Sequence, residues 1–365
     1  MKGIVLQSPV GTQVTIGGRQ YLYFGGTDYL GMANRSELRE GAIQAIESYG
    51  ISSSASRTST GTTELHLELE QAISGFAGTA GAVLLSAGYL GMHALLSGLV
   101  EREEPLLLQQ DAHSSIKEAA VAWCGNRREF DIHDLGTLRK ALGDLPASGG
   151  RVILAGEGVS PLYGTIFPLN DILELLGERN VLVLVDDAHG FGVLGDQGRG
   201  TLEYHGCGRE DVVFCSTLSK AFGSFGGCVP ASSGVIEKIR RRSSIYHCAT
   251  PPPAPLSGAA LAAIRYVADN PAIIKRLKEN AGLLKNGLAA LGLPADNPEV
   301  PIAPVCPGRV KDLDKVSGRL FEDGILAPFS RYPGSPEGGM IRIVVTAAHS
   351  KEQIETLLAA LRKFL

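Results

Sequence analysis

The sequence predicts an α/β protein in which helices flank a mostly parallel β-sheet, with a smaller α+β domain at the C-terminus. Three short, wholly apolar runs, at 82–85, 152–155 and 181–185, are bounded by turn residues, as in strands that are covered on both faces. Helical patterns separate these runs, and a strand–helix–strand order favours parallel strands with right-handed crossovers. Because 365 residues exceed what one core usually organises, we expect two domains.

Periodicity predicts the other elements of the N-terminal half. Alternating apolar and polar residues over 5–24, around Gly17 and Gly18, indicate a hairpin. A helix is predicted from Glu37, because apolar residues recur at helical spacing on one face. These residues are Leu38, Ala42, Ile43 and Ile46. The same reasoning predicts helices at 64–76, 92–100, 115–123 and 169–176, and a strand at 212–215.

The C-terminal part is predicted to form a separate, smaller unit. A long helical stretch over 255–291 follows three prolines, and a proline-rich break over 292–307 indicates a hinge. Helix 310–321, strand 340–345 and helix 351–365 then form an α+β unit that is too small to be stable alone. We therefore predict an N-terminal segment at 1–40, a large domain at 41–255, and a linker helix with the small domain at 256–365.

Composition excludes several classes of protein. Hydrophobic residues at 44% and charged residues at 20% are typical of a globular chain. A net charge of −4 offers no basic surface for nucleic acid. No leader sequence is recognisable and no apolar run approaches the roughly 20 residues of a membrane span, so we expect neither export nor a membrane. The six cysteines form no C-x-x-C pair, which predicts no metal site and reduced thiols in a cytoplasmic protein.

The strongest chemical signal is the segment 217–223, Thr-Leu-Ser-Lys-Ala-Phe-Gly, which contains Lys220. A lysine that follows a buried strand loses hydration, which lowers its pKa and provides a neutral amine for imine formation. The hydroxyls of Thr217 and Ser219 are placed to bind a phosphate. An arbitrary lysine is usually a solvated charge, but this whole segment matches the lysine signature of pyridoxal 5′-phosphate (PLP) enzymes. The sequence therefore predicts PLP, held as a Schiff base by Lys220.

A second signal lies at the end of the most apolar predicted strand, where ligands of open α/β sheets bind. Asp186 is the candidate to pair with the protonated pyridine nitrogen of PLP, which makes the cofactor an electron sink. Asp187 is better suited to capping the next helix. His189 is a candidate hydrogen-bond partner of the phenolic oxygen, although a lone histidine in a turn is more often structural.

The segment 86–89, Ser-Ala-Gly-Tyr, is a weaker signal for the phosphate. It follows a strand and is predicted to open a helix, so that free backbone N–H groups and the helix dipole would meet the cofactor phosphate. Gly88 and Tyr89 are the candidate residues. Most such turns bind nothing, and only its position ahead of Asp186 and Lys220 supports this role.

Over nearly its full length the chain resembles the α-oxoamine synthase family. The matching motifs include Asp28-Tyr29-Leu30-Gly31, Ser56-Arg57, Ser86-Ala87-Gly88-Tyr89, His113-Ser114-Ser115-Ile116, Glu157-Gly158-Val159, Asp186-Asp187-Ala188-His189-Gly190, residues 217–223, and Ile341-Arg342-Ile343. The resemblance implies a fold-type I PLP-dependent transferase. It also implies an acyltransferase that condenses a small amino acid with an acyl thioester, on coenzyme A or a carrier protein, and decarboxylates the product to an α-amino ketone.

The resemblance also assigns roles to individual residues. It implies that His113 stacks on the pyridine ring, that Arg342 binds the amino-acid carboxylate, and that Lys220 acts as general base. An arginine beside a strand is otherwise more often part of a surface salt bridge. The resemblance further implies a homodimer with the active site at its interface.

The chain departs from the family pattern near the expected substrate contacts, at Pro161, Tyr163, Met92 and Cys248. Two alternatives therefore stay open. One is a PLP-dependent aminotransferase or aldol-type lyase on the same fold. The other is a non-catalytic subunit, against which the presence of Lys220 argues.

Overall fold

The computed structural model describes residues 4–145, 150–308, 312–332 and 334–364. The strands in these ranges are β1 (Gln13–Ile16), β2 (Arg19–Tyr23), β3 (Gly81–Leu85), β4 (Pro105–Gln109), β5 (Asn126–Phe130), β6 (Val152–Glu157), β7 (Val181–Asp186), β8 (Val212–Thr217), β9 (Gly227–Ala231), β10 (Ile302–Val305), β11 (Ile325–Leu326), β12 (Phe329–Ser330) and β13 (Met340–Val344). The helices are α1 (Ser36–Tyr49), α2 (Glu64–Ala77), α3 (Gly91–Leu99), α4 (Ser114–Trp123), α5 (Leu135–Gly143), α6 (Leu169–Leu176), α7 (Thr201–Tyr204), α8 (Ser233–Arg242), α9 (Ser244–Cys248), α10 (Ala254–Asp269), α11 (Ala272–Ala290), α12 (Leu313–Glu322) and α13 (Lys351–Phe364).

The predicted mostly parallel sheet is confirmed as a seven-stranded sheet in the order β3-β9-β8-β7-β6-β4-β5. Only β9 runs antiparallel to its neighbours β3 and β8. Side chains alternate between two cores, one on each face: Leu84 and Val183 pack in the first, whereas Val83 and Leu182 pack in the second. Burial on both faces explains why β3, β6 and β7 are uniformly apolar in sequence.

Three strands of this sheet were not predicted. β5 has the polar sequence Asn-Arg-Arg-Glu-Phe, which an edge strand tolerates because only β4 pairs with it. β9 contains Gly227 and Pro230, which disguise a strand in sequence. β4 lies directly after a run of charged residues. Each of these strands is fixed by pairing with distant residues rather than by its own pattern.

Helix α1 forms where predicted, and Leu38 and Ala42 of its predicted apolar face pack in the core, but Ile43 and Ile46 do not. Ile43 and Ile46 are 54% and 41% exposed, whereas Leu38 and Ala45 are buried. The buried face is set by a close approach to α10, since a Cβ on Gly41 would lie 2.7 Å from the carbonyl oxygen of Gly258. Small residues therefore decide which face of α1 packs.

The C-terminal part contains a second, antiparallel sheet in the order β10-β13-β12. The predicted hairpin is confirmed as β1 and β2, and β11 adds to β2 in parallel. The stretch predicted as one long helix over 255–291 is two helices, because Pro271 separates α10 from α11. The predicted proline-rich break contains β10, which was missed.

Helix 310–321 is observed as α12 from Leu313, while the predicted ends at Val310 and Leu365 lie outside the described residues. The domain boundaries at 40/41 and 255/256 stay predictions. Within the described ranges, no helix has the length and apolar character needed to cross a membrane.

Candidate active site

The carboxyl ends of three adjacent strands meet at one cavity of about 290 Å³. Glu157 ends β6, Asp186 ends β7 and Thr217 ends β8, and the register places Glu157 beside Asp186. Among the described residues, the cavity lining includes eight of the nine predicted site residues but not Arg342. The eight are Gly88, Tyr89, His113, Asp186, His189, Thr217, Ser219 and Lys220.

Lys220 lies in the turn that follows β8, and backbone hydrogen bonds fix this turn. The N–H of Gly223 donates to the Lys220 carbonyl at 3.0 Å, and that of Leu218 donates to Gly226 at 2.9 Å. The Lys220 amine Nζ is 2.7 Å from Nε2 of His189. Loss of hydration lowers the pKa of Lys220 to about 8, although the Asp186 carboxylate opposes the shift. The amine is thus more readily deprotonated than an ordinary lysine.

His189 connects Lys220 to two further side chains. Its Nδ1 is 2.6 Å from the Tyr29 hydroxyl, which in turn accepts a hydrogen bond from Arg342 Nη2 at 3.4 Å. Burial lowers the pKa of His189 well below its usual value, so the imidazole is neutral at neutral pH. The sequence analysis assigned Tyr29 no role of its own, although its place in the motif Asp28-Tyr29-Leu30-Gly31 was a signal for one.

Asp186 and Asp187 occupy different environments. Asp186 faces the cavity, and its Oδ1 accepts the Ala188 N–H at 3.1 Å. Burial raises the pKa of Asp186, and the nearby Lys220 opposes this. Asp187 instead accepts the N–H and the hydroxyl of Thr201 at 2.9 and 2.6 Å, at the start of α7. Burial raises the pKa of Asp187 to about 7. Its contacts match the capping role indicated by the sequence.

Glu157 is a cavity residue that the sequence reasoning did not single out. Its Oε1 accepts the backbone N–H of His113 at 3.1 Å. Burial, followed by the charge of Asp186, raises the pKa of Glu157 to about 8, so it is mainly protonated at neutral pH. Its signal was its place at the end of an apolar strand, the same rule that identified Asp186.

His113 caps the N-terminus of α4 and faces the cavity. Its Nδ1 accepts the backbone N–H of Ser115 at 3.2 Å and is 2.8 Å from the Ser115 hydroxyl. Its Nε2 is 3.2 Å from the hydroxyl of Tyr332. Burial lowers the pKa of His113, so the ring is neutral at neutral pH. The two contacts with Ser115 therefore orient the ring, and Tyr332 lies at its opposite edge.

The candidate phosphate region differs slightly from the prediction. A 3₁₀ turn over Gly88–Leu90 precedes α3, which begins only at Gly91. A Cβ on Gly88 would lie 2.5 Å from Cβ of Thr217, so glycine permits close packing of this turn on β8. Thr217 donates to the Gly226 carbonyl at 3.0 Å and its hydroxyl is 2.7 Å from that of Ser219. Tyr89 is 41% exposed.

Arg342 lies on β13 in the smaller sheet, outside the cavity lining. Its Nε donates to the Pro161 carbonyl at 2.5 Å and its Nη1 to the Gly26 carbonyl at 3.1 Å. Two of the positions that depart from the family pattern lie in this region. The Pro161 carbonyl accepts the hydrogen bond from Arg342. The Tyr163 hydroxyl donates to the Gly334 carbonyl at 2.9 Å, in the loop before β13.

The other two departures lie away from the described cavity lining. Met92 is 1% exposed and packs in the core beneath α3. Cys248 is exposed at the end of α9. In this chain neither side chain contributes to the cavity within one protomer.

The side chains around the cavity fit PLP. A readily deprotonated amine suits a Schiff base, a buried carboxylate suits the pyridine nitrogen, and hydroxyls beside a glycine turn suit a phosphate. With a mostly parallel sheet and a second, smaller sheet, these features define a fold-type I PLP-dependent enzyme.

Comparison with known proteins agrees with this class and narrows it. Residues 19–361 match the aminotransferase class I and II family. The 8-amino-7-oxononanoate synthase of Thermosipho melanesiensis is 32% identical over 98% of this chain and 92% of the relative. That of Nitrosospira multiformis is 34% identical over 99% of this chain and 91% of the relative.

Solved structures give the same result. A serine palmitoyltransferase from S. paucimobilis with bound PLP is 28% identical, with a TM-score of 0.91 over 99% of this chain and 92% of that chain. The 8-amino-7-oxononanoate synthase from Francisella tularensis, at 22% identity and a TM-score of 0.79 over 94% of this chain and 97% of that chain, shows the fold alone. The chain belongs to the α-oxoamine synthase family within the class I and II aminotransferases, and it is a PLP-dependent enzyme.

Proposed function

We propose that this enzyme condenses a small amino acid with an acyl thioester, carried by coenzyme A or a carrier protein, and releases carbon dioxide to form an α-amino ketone. The observation that carries the proposal is the Lys220 amine, held 2.7 Å from neutral His189 in a cavity that also contains Asp186 and His113. Membership of the α-oxoamine synthase family supports this reaction type.

Lys220 has two proposed tasks. Its amine would hold PLP as a Schiff base, and the same amine, once free, would take the Cα proton of the amino acid. A pKa of about 8 suits both tasks, because the amine can gain and lose a proton near neutral pH. When bound, PLP supplies the electron sink that stabilises the resulting negative charge at Cα.

Asp186 is proposed to keep the pyridine nitrogen protonated. Burial disfavours its charged form when no cation is adjacent, and a pyridinium partner offsets that cost. Glu157 lies beside it in the sheet and is mainly neutral at neutral pH. The Asp186 carboxylate would therefore be the single charge available to the ring nitrogen, while Glu157 accepts the backbone N–H of His113.

The remaining cavity residues are proposed to orient the cofactor. His113 stacks on its ring, His189 bonds its phenolic oxygen, and Thr217 and Ser219 hold its phosphate together with Gly88 and Tyr89. The contacts of His113 Nδ1 with the Ser115 N–H and hydroxyl support a stacking role, since they orient the ring.

Arg342 is proposed to bind the carboxylate of the amino acid. Its planar fork suits a carboxylate, and it lies at the end of a chain of contacts from Lys220 through His189 and Tyr29. Its bonds to the Pro161 and Gly26 carbonyls hold the fork in place. Binding of a substrate carboxylate thus requires that part of the guanidinium remain available beside Tyr29.

We further propose a homodimer whose interface includes the mouth of the active site. Tyr89 and Phe225 line the cavity although 41% and 44% of each is exposed, and Leu256 is 37% exposed. Ile43 and Ile51 are further exposed apolar side chains of the same protomer, at 54% and 64%. A second copy would bury such side chains. All six cysteines are free thiols, which supports a cytoplasmic site of action.

The reaction is tested by incubating the purified enzyme with single amino acids in deuterium oxide, with and without acyl thioesters. The proposal predicts exchange of the α-proton without thioester, and release of carbon dioxide and free thiol once the correct thioester is added. Formation of a keto acid without thioester would instead indicate an aminotransferase. Absence of thiol release from every coenzyme A and carrier-protein thioester tested would contradict the proposed function.

A further inference from the structure

Tyr332 contacts His113 from the loop between β12 and β13. The Tyr332 hydroxyl is 3.2 Å from His113 Nε2, and the two rings are tilted by only 14° with centroids 6.4 Å apart. Tyr332 is 47% exposed and, like His113, lines a cavity next to the one that contains Lys220. The roles proposed above for Lys220, Asp186 and Arg342 make no use of this contact.

The direction of this hydrogen bond follows from the opposite side of the imidazole. Nδ1 of His113 accepts the backbone N–H of Ser115, so Nδ1 carries the lone pair. In a neutral imidazole the other nitrogen then carries the proton. His113 Nε2–H therefore donates to the Tyr332 oxygen, and the hydroxyl proton of Tyr332 is free to be donated elsewhere.

The surroundings of Tyr332 place this free donor beside a second cavity, of about 120 Å³. His113 and Glu157 line both this cavity and the one that contains Lys220, so they form the wall between the two. The Tyr163 hydroxyl donates to the Gly334 carbonyl and anchors the loop that carries Tyr332. A substrate group that reaches the Lys220 cavity along this wall passes the Tyr332 hydroxyl.

We propose that the Tyr332 hydroxyl donates a hydrogen bond to the carbonyl oxygen of the acyl thioester, which makes Tyr332 a binding residue for the second substrate. This inference rests on the proposed function. A thioester carbonyl has only acceptor atoms, and its oxygen gains negative charge when its carbon is attacked. The Ser115 N–H donates to His113, His113 donates to Tyr332, and Tyr332 donates to the substrate carbonyl. Hydrogen bonds in such a chain polarise one another, which strengthens the bond from Tyr332 to the substrate. The contact is a hydrogen bond only, and no proton is transferred.

The test compares Tyr332→Phe with Tyr163→Phe, which removes a hydroxyl that anchors the same loop. α-Proton exchange without thioester measures the amino-acid half of the reaction. Thiol release from a series of straight-chain acyl-coenzyme A thioesters measures kcat/KM for the second substrate. Tyr332→Phe should keep α-proton exchange within about twofold and lose about tenfold in kcat/KM for the thioester, the scale of one hydrogen bond. Tyr163→Phe should lose less than about threefold in the same measurement.

A Tyr332→Phe enzyme that uses thioesters as well as the wild type does, or a Tyr163→Phe enzyme that loses as much as Tyr332→Phe, would overturn the inference and leave the proposed function intact. A wild-type enzyme that releases no thiol from any thioester would overturn the proposed function, and the inference with it. Nitrogen-15 NMR of histidine-labelled holoenzyme, assigned with His113→Gln, provides an independent readout. A protonated Nε2 supports the inference, whereas a protonated Nδ1 overturns it because Tyr332 would then donate to His113.

Discussion

Two lysines have the same lowered pKa of about 8, yet their surroundings differ. Lys220 lies beside His189 and Asp186 in a cavity at the carboxyl edge of the large sheet. Lys285 is 2% exposed in α11 and donates to the Asp296 carbonyl at 2.6 Å, which ties the helix to the chain before β10. Loss of hydration lowers both pKa values. A lowered pKa therefore does not identify a catalytic lysine unless a cavity and partner groups accompany it.

Replacing the two lysines should give the largest contrast. Lys220→Ala removes both the covalent attachment and the proposed base, so turnover should fall by at least about 10³-fold. Lys285→Met keeps most of the buried volume but loses one hydrogen bond. It should keep turnover within about twofold and lose about 1 kcal/mol of unfolding free energy. Steady-state thiol release and urea unfolding of both variants measure these effects, and equal losses of turnover would remove the distinction.

A second contrast concerns the adjacent carboxylates Asp186 and Asp187. Asp186→Asn should retain PLP but lose about 10²–10⁴-fold in turnover, because a neutral amide does not hold the pyridinium proton. Asp187→Asn should mainly reduce stability, by about 1–3 kcal/mol, since Asp187 accepts two hydrogen bonds from Thr201. Absorbance of bound PLP, turnover and unfolding of each variant test this. Turnover of Asp186→Asn within a few fold of wild type would refute its role.

A third prediction tests whether Arg342 binds the carboxylate of the amino-acid substrate. Arg342→Lys keeps the charge but loses the planar fork, so amino-acid binding should weaken by about 1.5–3 kcal/mol. The amino-acid concentration that half-saturates α-proton exchange measures this loss. Arg331→Lys, on a neighbouring loop, is the matched control and should bind the amino acid normally. Unchanged binding in Arg342→Lys would place the carboxylate elsewhere.

Helix α11, which carries Lys285, also contacts His349 through Asn280, and His349 predicts a pH effect on stability. Burial lowers the pKa of His349 to about 4, although bonds to Tyr23 and Thr346 oppose the shift. Between pH 6.5 and 4 the unfolded chain therefore binds a proton that the folded chain does not, so His349 reduces stability as pH falls below 6.5. The loss approaches about 1.4 kcal/mol per pH unit. Urea unfolding at pH 7 and pH 5 should show a smaller pH dependence in His349→Asn than in wild type.

Sequence alone predicted the side of the site that binds the cofactor better than the side that binds the substrate. Lys220, Asp186 and His189 belong to continuous motifs at the ends of buried strands, so local pattern identified them. Arg342 was reached only through the family resemblance. Tyr332 lies in a loop of glycine and proline residues and meets His113 only because the two sheets come together.

The fold shows the same division between local pattern and tertiary contact. The apolar strands β6 and β7 were predicted because burial on both faces dictates their composition. The polar edge strand β5 and the buried face of α1 depend on partners distant in sequence: β4 pairs with β5, and Gly258 allows α10 to approach Gly41. No periodicity within either segment contains that information.

The most direct test of the account is to reduce the purified holoenzyme with borohydride and map the cofactor by peptide mass spectrometry. Reduction traps only a Schiff base and so marks the lysine that holds PLP. The account predicts a single labelled peptide, the one containing Lys220, and no label in Lys220→Ala. Label on Lys285 or any other lysine of the wild-type enzyme would contradict the assignment of Lys220 as the PLP-binding residue.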